Sequence, residues 1–401
     1  MRNLTLFFSL LLIVFGCKPE KSKEDKMDPE TKKIITEITE KYAPDKRVAI
    51  FDVDITKNEQ GKIVISGETN IAEAKDELVK KLKERFPDAV DEFKILPLDE
   101  LDGNVYGIVN LSVCNIRSKP HHWSELATQA LLGTTLKVYK SIERNSYFLV
   151  QTPDNYISWL DDDGLVLANE KEVKEWQQAL KIIYTKHYGF TYSEADAGSQ
   201  HVSDIVMGDM LKFLGEENDF YKVEYPDKRV AYIEKEKGMP YDKWLQSLNP
   251  TPENIVKTAK TLMGLPYLWG GTSTKAVDCS GFTKVVYFMN GIILERDASL
   301  QTHTGELVDT ENGFDNLQAG DLLFFGKKAT ADEKEKVTHV GIYIGDMEYI
   351  HASGRVKINS FDKTRDNYSE YRYNSFIRAR RILTSIDKNG IVSVKKHTFP
   401  F

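Results

Sequence analysis

Cys279 is the residue of this chain best placed to do chemistry. It stands in Val277-Asp278-Cys279-Ser280-Gly281-Phe282, and Phe282, Val285, Val286 and Met289 follow at helical spacing up to Gly291. The sulfur is therefore expected in the first turn of a helix, where unsatisfied N–H groups and the dipole favour a thiolate and lower the thiol pKa. A thiolate is the nucleophile that covalent catalysis by cysteine needs. A base is offered further along. Thr338-His339-Val340-Gly341-Ile342-Tyr343-Ile344 alternates as a strand, with His339, Gly341 and Tyr343 on one face; Gly345-Asp346-Met347 turns the chain, and Glu348 to Ala352 returns with His351. Register decides whether the two histidines meet. A two-residue turn at Gly345-Asp346 would put them on opposite faces. A three-residue loop pairs Gly341 with His351 and leaves His339 diagonally opposite, roughly 7–8 Å away at Cα. The spacing thus predicts the three-residue loop, with His351 orienting His339 and His339 activating Cys279, a Cys-His-His form of triad logic.

The elements that must position these groups occupy the last third of the chain. Thr251-Pro252 reads as a helix start, a hydroxyl cap followed by proline at the first helical position. From there residues 252–385 form the unit that carries the chemistry, with 386–401 as a tail and 237–251 as the linker into it. Upstream, Ala130 to Val138 aligns with Ile205 to Phe213, and the strands from Tyr147 and Ile157 align with those from Phe220 and Val230. Each copy is a set of short alternating strands with Gly and Pro-Asp turns, the signature of a small β-barrel. The expected division is a barrel at 105–168, a helical connector at 169–194 and a second barrel at 195–236. Residues 18–104 read as a charged tether followed by a small α+β domain in the order α-β-β-α-β. The 401 residues hold three cysteines, Cys17, Cys114 and Cys279, too few for a disulfide framework. Cys114 reads as a buried strand residue.

The chain opens with Arg2 and an apolar run from Leu4 to Phe15, ending Gly16-Cys17 before a charged stretch. It is too short to span a bilayer and reads as a signal peptide over 1–17. A small residue before the cysteine resembles the lipobox of bacterial lipoproteins, which implies lipidation at Cys17 and a membrane anchor. The net charge of −7 gives no basic stripe of the kind nucleic-acid binding needs. His121, His122, His201 and His303 show no paired ligand spacing, so neither metal nor cofactor is expected.

In combination, Tyr267-Leu268-Trp269-Gly270-Gly271, Asp278-Cys279-Ser280-Gly281-Phe282, Gly320 to Phe325, His339 to Tyr343 and Ile350-His351-Ala352 resemble the NlpC/P60 family of cell-wall peptidases. The first repeat, opening Val113 to Pro120, resembles bacterial SH3-like domains. The resemblance implies an α+β fold: a papain-like catalytic domain preceded by two SH3-like barrels and the N-terminal α+β domain. It implies Cys279, His339 and His351 as the triad, and Tyr267, with the Cys279 N–H, as a holder of the oxyanion. The order of domains is similar to γ-D-glutamyl-L-diamino acid endopeptidases. Those relatives cut peptidoglycan-derived peptides with a free N-terminal L-Ala and hold the ammonium with acidic and hydroxyl groups. Asp278, Ser280 and Asp297 match their cleft positions, and Tyr156 matches a tyrosine of the SH3-like module. Relatives often place serine directly after the aspartate, whereas here Ala298 intervenes before Ser299. Trp269 reads as a wall of the cleft. Two other functions fit the same residues: an endopeptidase or amidase on intact wall, and a wall-binding module without catalysis.

Overall fold

The computed structural model describes residues 27–142 and 146–397; the signal peptide and Cys17 lie outside the described residues. Helix Pro29–Tyr42 starts where Asp28 accepts from the Thr31 N–H at 3.1 Å and Pro29 needs no acceptor. Strands Phe51–Lys57, Ile63–Thr69 and Val90–Ile95 form one sheet, the first two antiparallel and the last two parallel across helix Ala72–Arg85. Ile38, Ile65, Leu78, Leu82 and Phe93 fill its core.

A seven-stranded sheet follows, in the order Leu165–Ala168, Tyr106–Val109, Thr135–Ile142, Tyr147–Gln151, Ile157–Asp161, Val113–Arg117, Leu126–Leu131. Cys114 is buried within it as a free thiol. The N-terminal domain docks on this sheet. Leu96 packs with Tyr139, Leu149 and Ile157, Asn70 Nδ2 donates to Tyr139 Oη at 3.0 Å, and the Ile157 N–H donates to the Arg47 carbonyl at 2.7 Å.

The second repeat is larger than expected. Its sheet runs His201–Val206, Tyr188–Tyr192, Val230–Glu234, Phe220–Glu224, Met210–Glu217, Lys181–Tyr184, Gly238–Pro240. The connector is helical only over Glu170–Gln178; Lys181 to Tyr192, expected as helix, supplies two strands. Ile182 and Ile183 have a tertiary partner in Leu211 and Met210, and pairing overrides the local pattern. The expected linker is ordered as well. Gly238–Pro240 closes the sheet edge, and helix Tyr241–Ser247 buries Trp244 against Phe288. The two repeats meet through Asp209, whose carboxylate accepts from the Leu132 N–H at 3.1 Å and the Val206 N–H at 2.8 Å.

The last unit packs helix Cys279–Phe288 on a six-stranded antiparallel sheet ordered Glu306–Val308, Phe376–Arg381, Leu322–Lys327, Lys336–Gly345, Glu348–Ser353, Arg355–Ser360. Phe282 and Val286 meet Leu322, Phe324, Val340, Ile342 and Ile350 in one cluster. The expected tail belongs to this unit: Val392–Ser393 pairs with Ile292–Ile293, and Ile391 is buried. Among the described residues no helix is long and apolar enough to cross a membrane.

Candidate active site

Cys279, the expected nucleophile, is placed by its cap. Asp278 Oδ1 accepts from the Gly281 N–H at 2.7 Å, and Oδ2 accepts from the Gly270 N–H at 3.0 Å, tying the Trp-Gly-Gly turn to the helix start. A Cβ at Gly281 would lie 1.9 Å from the Gly271 carbonyl oxygen, so glycine is required for that approach. Arg296, 1% exposed, donates from Nη2 to Asp278 Oδ2 at 2.6 Å and from Nη1 to Ser280 Oγ at 3.0 Å. Its Nε reaches into the first seven-stranded sheet, to Thr128 Oγ1 at 3.0 Å. Asp278 and Ser280 line the cleft, as expected of substrate-binding residues, and their hydrogen bonds also tie the helix cap to this buried ion pair.

The hairpin brings the two histidines together, by a turn other than the expected loop. Asp346 and Met347, at φ +53° and +61°, make a two-residue turn of primed type, and a bulge between Tyr343 and Gly345 absorbs one residue. Ile342 then faces Ile350, which brings Gly341 beside His351; a Cβ at 341 would lie 3.1 Å from the His351 Cβ. His339 Nε2 and His351 Nδ1 are 2.7 Å apart, and His351 Nε2 is 2.8 Å from Asn359 Oδ1. Asn359 Nδ2 donates to the Asn367 carbonyl at 2.7 Å, which fixes the amide with its oxygen toward His351. Proton positions assigned from this network follow in order. His351 donates from Nε2 and accepts at Nδ1; His339 donates from Nε2, leaving the lone pair on Nδ1 as the base. Both rings are buried, at 5% and 1% exposure. Burial holds the His339 imidazole well below its ordinary pKa, with His351 and Arg372 adding to the effect. Burial likewise takes His351 down to about 3, against the opposing effect of the hydrogen bond it donates to Asn359.

The sulfur departs from expectation. Burial, with the Asp278 carboxylate next to it, pushes the Cys279 thiol up to about 11. Hydrogen bonds from the Val340 and Ser280 backbone N–H groups act in the opposite sense, and Val340 directly follows His339 in its strand. Loss of solvent and a neighbouring carboxylate outweigh the helix start. The resting pair is a neutral thiol and a neutral imidazole, so proton transfer accompanies attack. Tyr267 is pinned by its N–H to the Gly354 carbonyl at 3.0 Å. Burial and the adjacent Cys279 raise its phenol, keeping it a hydrogen-bond donor.

Cys279 opens into a cleft of about 300 Å³ shared with Tyr267, Trp269 and Thr338. Loops flanking strands of the first seven-stranded sheet contribute Ser118, Glu125 and Tyr156 to its lining. Trp269, 61% exposed, donates from Nε1 to Glu125 Oε1 at 2.6 Å and latches the two units together. Asp297 and Ser299 stand at the same end as Tyr156, whose phenol is raised by burial and then by the Asp297 carboxylate. Both are held by Arg47 of the N-terminal domain, at 2.6 Å to Asp297 Oδ2 and 2.9 Å to Ser299 Oγ. Sequence reasoning missed Arg47, Glu125, Arg296 and Asn359. Arg296, a charge close behind the apolar Ile292 to Leu294, offered the one local hint; the others occupy ordinary polar stretches. Among the described residues no cluster of three His, Cys, Asp or Glu could hold a metal.

Comparison with known proteins follows the same division. The NlpC/P60 family matches residues 264–378, and the bacterial dipeptidyl-peptidase Sh3 domain matches residues 116–165. A gamma-D-glutamyl-L-lysine dipeptidyl-peptidase of Bacillus cereus is 33% identical over 236 residues, 57% of this chain and 68% of that protein. Dipeptidyl-peptidase 6 of Lysinibacillus sphaericus is 26% identical over 274 residues, 66% of this chain and 94% of that protein. A solved NlpC/P60 family protein from Bacillus cereus shares the fold, with a TM-score of 0.58 at 24% identity over 69% of this chain and 99% of its own.

Proposed function

This chain belongs to the NlpC/P60 family and is a cysteine-type peptidase, and from that premise we propose that it hydrolyses the γ-D-glutamyl-diamino acid bond of cell-wall peptides carrying a free N-terminal L-Ala. Cys279 attacks the γ-carbonyl while His339 Nδ1 takes its proton, forming a tetrahedral intermediate held by the Tyr267 hydroxyl and the Cys279 N–H. His339 returns the proton to the leaving amine, and water then releases the acyl group from sulfur by the same route in reverse.

One observation carries the choice of substrate: the SH3-like wall. Glu125, Tyr156 and Asp297 all line the cleft that holds Cys279, and the Asp297 carboxylate lies close enough to Tyr156 to raise its phenol. Carboxylates beside a phenol in a partly dry site favour a charged amine through charge-assisted hydrogen bonds. The relatives named as dipeptidyl-peptidases support the same reading. The cut then falls a dipeptide away from the ammonium, releasing L-Ala-D-Glu. Product analysis with L-Ala-γ-D-Glu-diaminopimelate, and with the same peptide capped by N-acetylmuramic acid, tests it. Cleavage of the free peptide between the second and third residues is expected. Equal cleavage of both would point instead to action on intact wall. We place the enzyme in the cell envelope, anchored through Cys17; lipid labelling that survives Cys17→Ser would sink the anchor.

A further inference from the structure

Arg47 lies outside both segments that match known families, in a loop of the N-terminal domain, yet its guanidinium stands in the substrate cleft. Resting on the function proposed above, we infer that Arg47 is a specificity-determining residue: the N-terminal domain uses it to fix Asp297 and Ser299 for the substrate's terminal ammonium and to close the cleft behind them.

Its placement is rigid from both sides. Asp45 accepts from Arg47 Nε at 2.9 Å and from Nη2 at 2.5 Å, a fork that sets the plane of the guanidinium. The Arg47 carbonyl accepts from the Ile157 N–H at 2.7 Å, so its backbone is fastened next to Tyr156. With both sides held, Nη1 bridges Asp297 and Ser299. Asp297 and Ser299 stand two residues apart, and Arg47 gathers the two side chains onto one donor.

Charge decides what the assembled end attracts. Arg47 lies between the carboxylates of Asp45 and Asp297, so the three groups together keep one negative charge. Asp297 Oδ2 is taken by Arg47, while Oδ1 has Arg296 only at 3.9 Å, and that guanidinium is already bound to Asp278. Oδ1 is left as an acceptor on a carboxylate close enough to Tyr156 to raise its phenol, matched to an ammonium and ill-suited to an acylated nitrogen, which brings bulk and no charge.

The test measures kcat and KM on full-length protein for L-Ala-γ-D-Glu-diaminopimelate and its N-acetylated form, in wild type, Arg47→Ala, Arg47→Lys and Asp45→Asn. Arg47→Ala is expected to raise KM for the free peptide about tenfold, with kcat within about twofold, and to erode the preference over the acetylated peptide by a similar factor. Arg47→Lys restores part of it, because the charge returns without the fork. Asp45→Asn moves KM in the same direction by less, and guards against a misfolded alanine variant. A wild type that shows no preference for the free amine overturns the proposed function and this inference together. A preference and KM unchanged in Arg47→Ala overturn the inference alone, as does a rise in kcat, which would make Arg47 an obstruction that substrate must displace.

Discussion

The resting protonation of Cys279 is open to direct titration. With a thiol pKa of about 11, the thiolate fraction at pH 7.5 is roughly 0.03%, against roughly 10% for an ordinary thiol near 8.5. That deficit of about 300-fold is partly offset. A more basic sulfur is intrinsically more nucleophilic, which returns about tenfold. Alkylation of Cys279 by iodoacetamide at pH 7.5 is therefore expected to run about 30-fold slower than for a free cysteine, before any steric shielding. Shielding does not alter the pH slope, so the slope is the measurement. Following the Cys279 peptide by mass spectrometry from pH 6 to 10.5 keeps the buried Cys114 out of the signal. The rate should climb nearly tenfold per pH unit up to about pH 10. Asp278→Asn keeps an acceptor for the helix cap and removes the charge beside the sulfur. It should shift the curve to lower pH, at a cost in stability because Arg296 loses its counter-charge. A plateau already reached below pH 7 would refute the reasoning, since it would mean that a thiolate–imidazolium pair exists before substrate arrives.

Two further outcomes follow from the same packing. Asn359→Ala removes the acceptor that sets the His351 tautomer, and through it the Nδ1 lone pair of His339. It is expected to lower kcat by about 10- to 100-fold with KM little changed; kcat at the wild-type level would show that the relay ends at His351. Glu295 is pushed up to about 7 by burial, then by the nearby Asp154 carboxylate. Its folded pKa lies above the unfolded value, so the carboxyl is neutral in both states below about pH 4.5, and the folded state is penalised as pH rises toward about 7. Glu295→Gln should therefore stabilise the protein by up to about 3 kcal/mol at pH 8 and by almost nothing at pH 4. Melting temperatures at the two pH values check this, and an equal shift at both would sink it.

Sequence patterns of short range determined much of this protein. Asp278, Cys279 and the apolar residues spaced behind them specify a capped helix bearing the nucleophile, because capping and helical periodicity act within a few residues. Alternation around His339 and His351 specifies two strands, and the opposing pleat leaves one face on which the rings can meet. The α-β-β-α-β order of the N-terminal domain was legible for the same reason. Tertiary structure decided what local pattern leaves open. Lys181–Tyr184 forms a strand because Leu211 and Met210 offer partners, and Tyr188–Tyr192 because His201–Val206 does, although a helical connector was expected there. The thiol pKa was misjudged because a helix start is a local feature, while burial is a property of everything packed above it. Arg47, Arg296 and Asn359 carry no signal of function in their neighbourhoods. They reach the site across 250, 18 and 8 residues of chain, and such contacts exist only once domains and strands have packed.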